Sequence, residues 1–133
     1  MKKIDKKLAA LPSLELARIA ARAAIDKKAE NLVILDVEGL ASFTDCFVIM
    51  SGRSTRHVQG LAQAVDEALA SKRLKSTSAE GLHEGHWVLL DYGEIVVHIF
   101  YSDTREFYDL EGLWHDAPRV PLPETPATKP GED

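Results

Sequence analysis

The sequence predicts an α+β fold, a mixed β-sheet of about five strands packed by two main helices plus a short C-terminal helix. Three observations carry this. Two stretches of helical periodicity flank a pair of apolar runs that read as strands. A hairpin of two apolar-rich strands about a Tyr-Gly turn follows them. A short amphipathic segment follows the hairpin.

The first helix is expected to start near Ser13, an N-cap just after Pro12. Glu15, Arg18, Arg22 and Asp26 form its polar face, with Leu14, Ala17, Ala21 and Ala24/Ile25 on another. Small alanines let this helix approach a sheet closely, and Asn31 is expected to close it off. The near-continuous apolar run Leu32 to Val37 reads as a buried strand, followed by a turn at Gly39. A second strand runs from about Asp45 to Met50, ended by Ser51-Gly52. Ser54 or Thr55 caps the second helix, whose stripe is Val58, Leu61, Ala62, Val65, Ala68 and Leu69. A short strand falls around Ser78 to Leu82. The hairpin pairs His86–Asp91 with Glu94–Tyr101 across Tyr92-Gly93, where glycine supplies the positive φ of a tight turn. Asp103-Thr104-Arg105-Glu106 has capping-box spacing. Phe107, Leu110, Leu113 and Trp114 then read as the apolar face of a short terminal helix.

The folded domain is expected at residues 13–116. Residues 1–12 read as a basic lead-in, and residues 117–133 as an extended, disordered tail holding five of the six prolines. A chain of 133 residues is one domain's worth, given about 150 residues per domain. Hydrophobic residues are 45% and charged residues 28%, an ordinary globular composition. No run approaches the roughly 18 apolar residues of a membrane span. One cysteine, Cys46, permits no internal disulfide and fits a reducing compartment. Lys plus Arg is 16 against 21 Asp plus Glu, a net charge of -5. That opposes coating nucleic acid, because such binding works by neutralising phosphates.

Four clusters invite chemistry. Ser51-Gly52-Arg53-Ser54-Thr55 joins a strand to a helix, where free N–H groups hold phosphates well. It is too short for a P-loop, and the following strand offers only Asp91 where phosphoryl or nucleotidyl transfer wants clustered carboxylates for magnesium. A structural helix cap is the favoured reading. His83-Glu84-Gly85-His86 lacks the His-Glu-x-x-His spacing, so a turn into a strand is favoured over a metal site. Cys46 lies in an apolar strand and reads as an inert buried thiol. His57 reads as a surface histidine, since Ser51 is the nearest nucleophile in sequence and no third member suggests itself.

The hairpin is different. Alternation puts Trp87, Leu89 and Asp91 on one face and His86, Val88 and Leu90 on the other. In the return strand Ile95, Val97 and Ile99 form the core face, and Glu94, Val96, His98 and Phe100 share the mixed one. A mixed aromatic, aliphatic and charged face is what protein interfaces enrich in, and it weighs evenly against Trp87 being merely packed.

Several segments are similar to the ribosomal silencing factor family, also called the Iojap family. They are Asp36-Val37, Thr44–Ile49, Ser51–Val58, Glu80-Gly81, Trp87–Phe100 with its Asp-Tyr-Gly-Glu-Ile-Val-Val-His block, and Arg105–Trp114. The resemblance spans about Leu14 to Asp116. It implies a non-enzymatic protein without cofactor or metal. Such a protein binds the large ribosomal subunit through a ribosomal protein, L-fourteen, on the face that meets the small subunit. Subunit joining is thereby blocked and translation repressed when nutrients run short. Large-subunit assembly is implied for organellar relatives. The resemblance further implies a homodimer and a nucleotidyltransferase-like topology stripped of its catalytic carboxylates, while the single cysteine and the lack of a membrane-length apolar run already lead to the expectation of a cytoplasmic location by default. The expected partner-binding residues are Trp87, Asp91, Tyr92, His98 and Tyr101, with Arg105 and Tyr108 at the hairpin's edge. Trp87 and Tyr92 are the expected anchors, and Asp91 is expected to face a partner Lys or Arg. The rival reading is a nucleotide-binding or nucleotidyltransferase-like enzyme using the Ser51-Gly52 loop.

Overall fold

The computed structural model describes residues 2–123, with side chains from residue 13 onward. The elements in chain order are α1 (Lys2–Asp26), β1 (Glu30–Asp36), β2 (Cys46–Gly52), α2 (Thr55–Ala70), β3 (Ser78–Glu80), β4 (Trp87–Asp91), β5 (Ile95–Tyr101), α3 (Ser102–Tyr108), α4 (Leu110–Leu113) and β6 (Arg119–Val120). One mixed sheet runs β3-β4-β5-β2-β1-β6. Only the central β2–β5 pair is parallel, and every other pair is antiparallel. The predicted α+β class holds, with six strands rather than five.

The two faces of the sheet are covered differently. On one face α1 and α2 pack over Val48, Met50, Val88, Leu90, Ile95, Val97 and Ile99. Helix α1 contributes Ala17, Ala20, Ala21 and Ala24, all fully buried, so small side chains set a close approach as expected. Helix α2 buries Val58, Leu61, Ala62, Val65 and Leu69, which is the predicted stripe without Ala68. Each large member of it contributes about 1.5–3 kcal/mol by leaving water. Ser54 caps this helix by accepting the His57 N–H at 3.0 Å. The second face carries a smaller cluster, Leu35, Val37, Phe47, Ile49, Val96 and Phe100, covered by Ala117, Leu110 and Trp114 from the C-terminal segment.

Several expectations need correction. Helix α1 starts at Lys2 and runs through Pro12, so residues 2–12 are helical. Good helix formers on either side of the proline outweigh the single N–H it removes. Ser13 is therefore not a cap, and its hydroxyl donates to Asp45 at 2.7 Å. Asn31 does not close α1. It lies inside β1 with φ +51° where the β1–β2 register shifts, because Asn tolerates the left-handed conformation that such a bulge needs. Asp103 does not cap α3, whose N-cap is Tyr101 without a side-chain hydrogen bond.

The expected single terminal helix is two. Asp109 adopts φ +47° between them and its carboxylate accepts the Gly112 N–H at 3.2 Å. This break turns Leu110 and Trp114 onto the sheet and leaves Phe107 and Leu113 exposed. Within the stretch read as tail, Arg119 and Val120 pair with Leu35 and Ile34 as β6. Residues 124–133 lie outside the described residues.

Candidate functional site

The β4–β5 hairpin sets the site. Its turn closes with the Gly93 N–H on the Asp91 carboxylate at 2.8 Å and the Tyr92 N–H on the Ile95 carbonyl at 2.9 Å. Gly93 has φ +86°, which only glycine adopts cheaply. The resulting register places Trp87 opposite Phe100, Leu89 opposite His98 and Asp91 opposite Val96, all on the face away from α1 and α2. This is the mixed face that alternation predicts.

On that face the rings form a continuous ribbon. Trp87 stacks on Phe100 at 4.9 Å between centroids and meets Tyr108 at 4.6 Å, and Phe107 lies edge-on to Tyr108 at 5.1 Å. His98 is edge-on to Phe47 at 5.1 Å, Phe47 contacts Trp114 at 5.3 Å, and Phe43 adjoins both. Edge-to-face contacts at these distances are favourable beyond their buried area. The interior of the ribbon is buried and its ends are open, with Phe43 59%, Phe107 80% and Tyr108 51% exposed.

His98 ties the ribbon to the hairpin. Its Nδ1 accepts the Trp87 indole N–H at 3.1 Å, so the ring proton resides on Nε2, which is buried without a hydrogen-bond partner. Burial lowers the imidazole pKa to about 4, so His98 is neutral and Trp87 keeps its acceptor.

Arg105 anchors the helices below the ribbon. Its guanidinium donates to both Glu111 oxygens at 3.1 and 2.6 Å, to the Asn31 carbonyl at 2.5 Å and to the Ser51 hydroxyl at 2.9 Å. One side chain thereby joins β1, β2, α3 and α4. Its hydrogen bonds hold the Glu111 carboxyl below its usual range, against the opposing effect of burial.

The seven sequence-predicted residues fall into three groups. Trp87, Tyr101 and Tyr108 are brought together around a shallow groove of about 460 Å³ that also involves His86, Asp103 and Phe107. His98 and Arg105 are buried and act on this surface from beneath. Asp91 and Tyr92 lie at the far, turn end of the hairpin. Asp91 is engaged in the turn, and Tyr92 is buried on the helix face with its hydroxyl donating to Asp66 at 2.8 Å. Burial and that bond push the phenol pKa upward. Tyr92 therefore offers no exposed anchor. Sequence reasoning missed Phe43, Phe107 and Asp103. Phe43 had a signal, a lone aromatic in the Gly39–Thr44 turn region where nothing local buries it.

The other clusters are put to structural use. Ser51 accepts from Arg105, and a Cβ at Gly52 would meet Val58, so that glycine lets α2 close on β2. His57 is half-buried rather than a free surface group, accepting the Arg53 N–H and donating to the Lys27 carbonyl at 2.8 Å. Cys46 is buried and its thiol is pushed up to about 12 by burial and then by Asp36 and Asp45. Among the described residues no group of three or more His, Cys, Asp or Glu side chains could hold a metal ion. Among the described residues no helix is long and apolar enough to cross a membrane.

Residues 10–133 match the family model described as "Ribosomal silencing factor during starvation". The ribosomal silencing factor of Bacillus subtilis is 40% identical over 107 residues, covering 80% of this chain and 91% of that protein. A crystal structure from Bacillus halodurans superposes with a TM-score of 0.73 at 38% identity, covering 82% of this chain and 99% of its own. A crystal structure from Chromobacterium violaceum gives 0.75 at 32%, covering 89% and 97%. With a family model spanning the hairpin, both main sheet faces and the C-terminal helices, this chain belongs to the ribosomal silencing factor family.

Proposed function

We propose that this protein docks on the large ribosomal subunit through a basic ribosomal protein, L-fourteen, at the face that meets the small subunit. It thereby blocks subunit joining sterically and represses translation in the cytoplasm, without a reaction of its own. The observation that carries this reading is the aromatic ribbon on the sheet face that α1 and α2 leave uncovered, with Phe107 and Tyr108 open to solvent. Aromatic side chains at the centre of a surface patch are the usual carriers of interface energy. The net charge of -5 supports the choice of a basic protein over bare RNA, since opposite charge steers encounter. In this reading Trp87, Tyr101 and Tyr108 touch the partner. His98 and Arg105 hold them in place, and Asp91 and Tyr92 shape the hairpin.

The test is co-sedimentation with large subunits on a sucrose gradient, run with a subunit-joining assay. The wild-type chain should travel with the large subunit and suppress joining. Tyr108→Ala and Trp87→Ala should each weaken binding, the latter by on the order of 2 kcal/mol. Wild-type-like binding by both variants would remove the site assignment.

A further inference from the structure

We infer that the groove between the end of the hairpin and α3 is an aromatic cage for one cationic side chain, a lysine or arginine presented by a basic protein partner. This rests on the docking reading above and specifies what that surface grips. Trp87, Tyr101, Phe107 and Tyr108 wall the groove, and His86 and Asp103 complete it. Trp87 and Tyr108 lie 4.6 Å apart at 46°, and His86 and Tyr101 lie 6.3 Å apart at 48°. These mutually inclined rings line the shallow groove together. A ring face carries negative quadrupole potential and attracts a cation within about 6 Å, tryptophan most strongly.

Asp103 adds a full charge to the same groove. Its carboxylate is exposed and has no hydrogen bond or ion pair among the described residues. Among the described residues no cation pairs with it, and Arg105, two residues on, is committed to Glu111, Asn31 and Ser51. An apolar occupant would desolvate Asp103 without pairing it, and an acidic one would be repelled. A cationic side chain satisfies the rings and the carboxylate together. The buried His98 contributes by accepting the Trp87 indole N–H, which fixes the ring that forms one wall.

The test uses the full chain and nuclear magnetic resonance. N-acetyl-arginine methylamide and N-acetyl-lysine methylamide are compared with the neutral, arginine-shaped N-acetyl-citrulline methylamide. The two tryptophan indole signals separate the site from a reference, since Trp114 lies outside the groove. Either cationic probe should shift the Trp87 indole and Tyr108 ring signals saturably, with the citrulline probe leaving them in place. Asp103→Asn should weaken the cationic response about two- to fivefold at unchanged melting temperature. Equal response to citrulline, no cationic response, or an unaffected Asp103→Asn variant would each overturn the cage. Asp103→Lys in the gradient assay separates the two readings. If the wild type binds large subunits and Asp103→Lys binds as well, the cage falls and docking stands. If the cationic probes bind but the wild type does not co-sediment, docking falls and the cage stands.

Discussion

Replacing Arg105 with alanine should unfold the link between the sheet and the C-terminal helices. The Arg105 side chain is 91% buried and the Glu111 side chain beside it is 76% buried, so the pair is largely out of water. Removing the guanidinium strands the Glu111 carboxylate, the Ser51 hydroxyl and the Asn31 carbonyl. Breaking a buried pair by deleting one partner costs about 3–5 kcal/mol, chiefly through the charge left behind. For a domain near 100 residues, a loss of about 1 kcal/mol lowers Tm by roughly 4–8 °C, so Arg105→Ala should melt at least 12 °C or so below wild type. Arg105→Lys keeps the charge but not the two-pronged geometry and should fall between them. The assay is thermal and urea unfolding followed by circular dichroism. Arg105→Ala melting within about 2 °C of wild type would refute the claim that this residue clasps the C-terminal segment. The Glu111 pKa is lowered in the fold, so the pair's contribution is present above the unfolded carboxylate value. It is lost as pH falls through the folded value.

Three further outcomes are expected. His98 titrates near 4 in the fold against 6.5 unfolded, so the unfolded chain binds more protons between those values. Stability should therefore fall as pH drops from 6.5 towards 4, by at most about 1.4 kcal/mol per pH unit from this group, and urea midpoints for His98→Leu should lack that component. Cys46 should resist a thiol-reactive disulfide reagent in native protein and react fully in denaturant, because its thiolate is suppressed by burial and neighbouring carboxylates. Gly81→Ala should lower the melting temperature sharply, since Gly81 has φ +80° and an added Cβ would collide with the Trp87 carbonyl.

The central elements were legible because their signals are local and periodic. The α2 stripe from Val58 to Leu69 and the alternation of β4 and β5 each state which face is buried. The register confirms the mixed face of Trp87, His98 and Phe100. What escaped the sequence is one local break and several contacts distant along the chain. The apolar spacing of Phe107, Leu110, Leu113 and Trp114 suits one helix, but Asp109 breaks it, and the break decides which rings face solvent. Arg105 and Tyr92 read as surface groups because their partners, Glu111 with Ser51 and Asp66, are chosen by tertiary packing. The open groove at Asp103 is of the same kind, since only the placement of α3 beside β5 brings that carboxylate to the rings.

The short strand β6 has a consequence for solubility. Without it β1 would present a seven-residue edge that includes the apolar run Leu32 to Leu35, a template for pairing with another chain. The two residues of β6 pair with Ile34 and Leu35 and cover the C-terminal part of that edge, and Pro118 and Pro121 flank them with nitrogens that cannot donate to a further strand. At the opposite edge β3 is only three residues long and ends in Glu80. Both margins of the sheet are therefore short or partly covered, which limits the backbone left open to edge-on pairing beside the exposed aromatic patch.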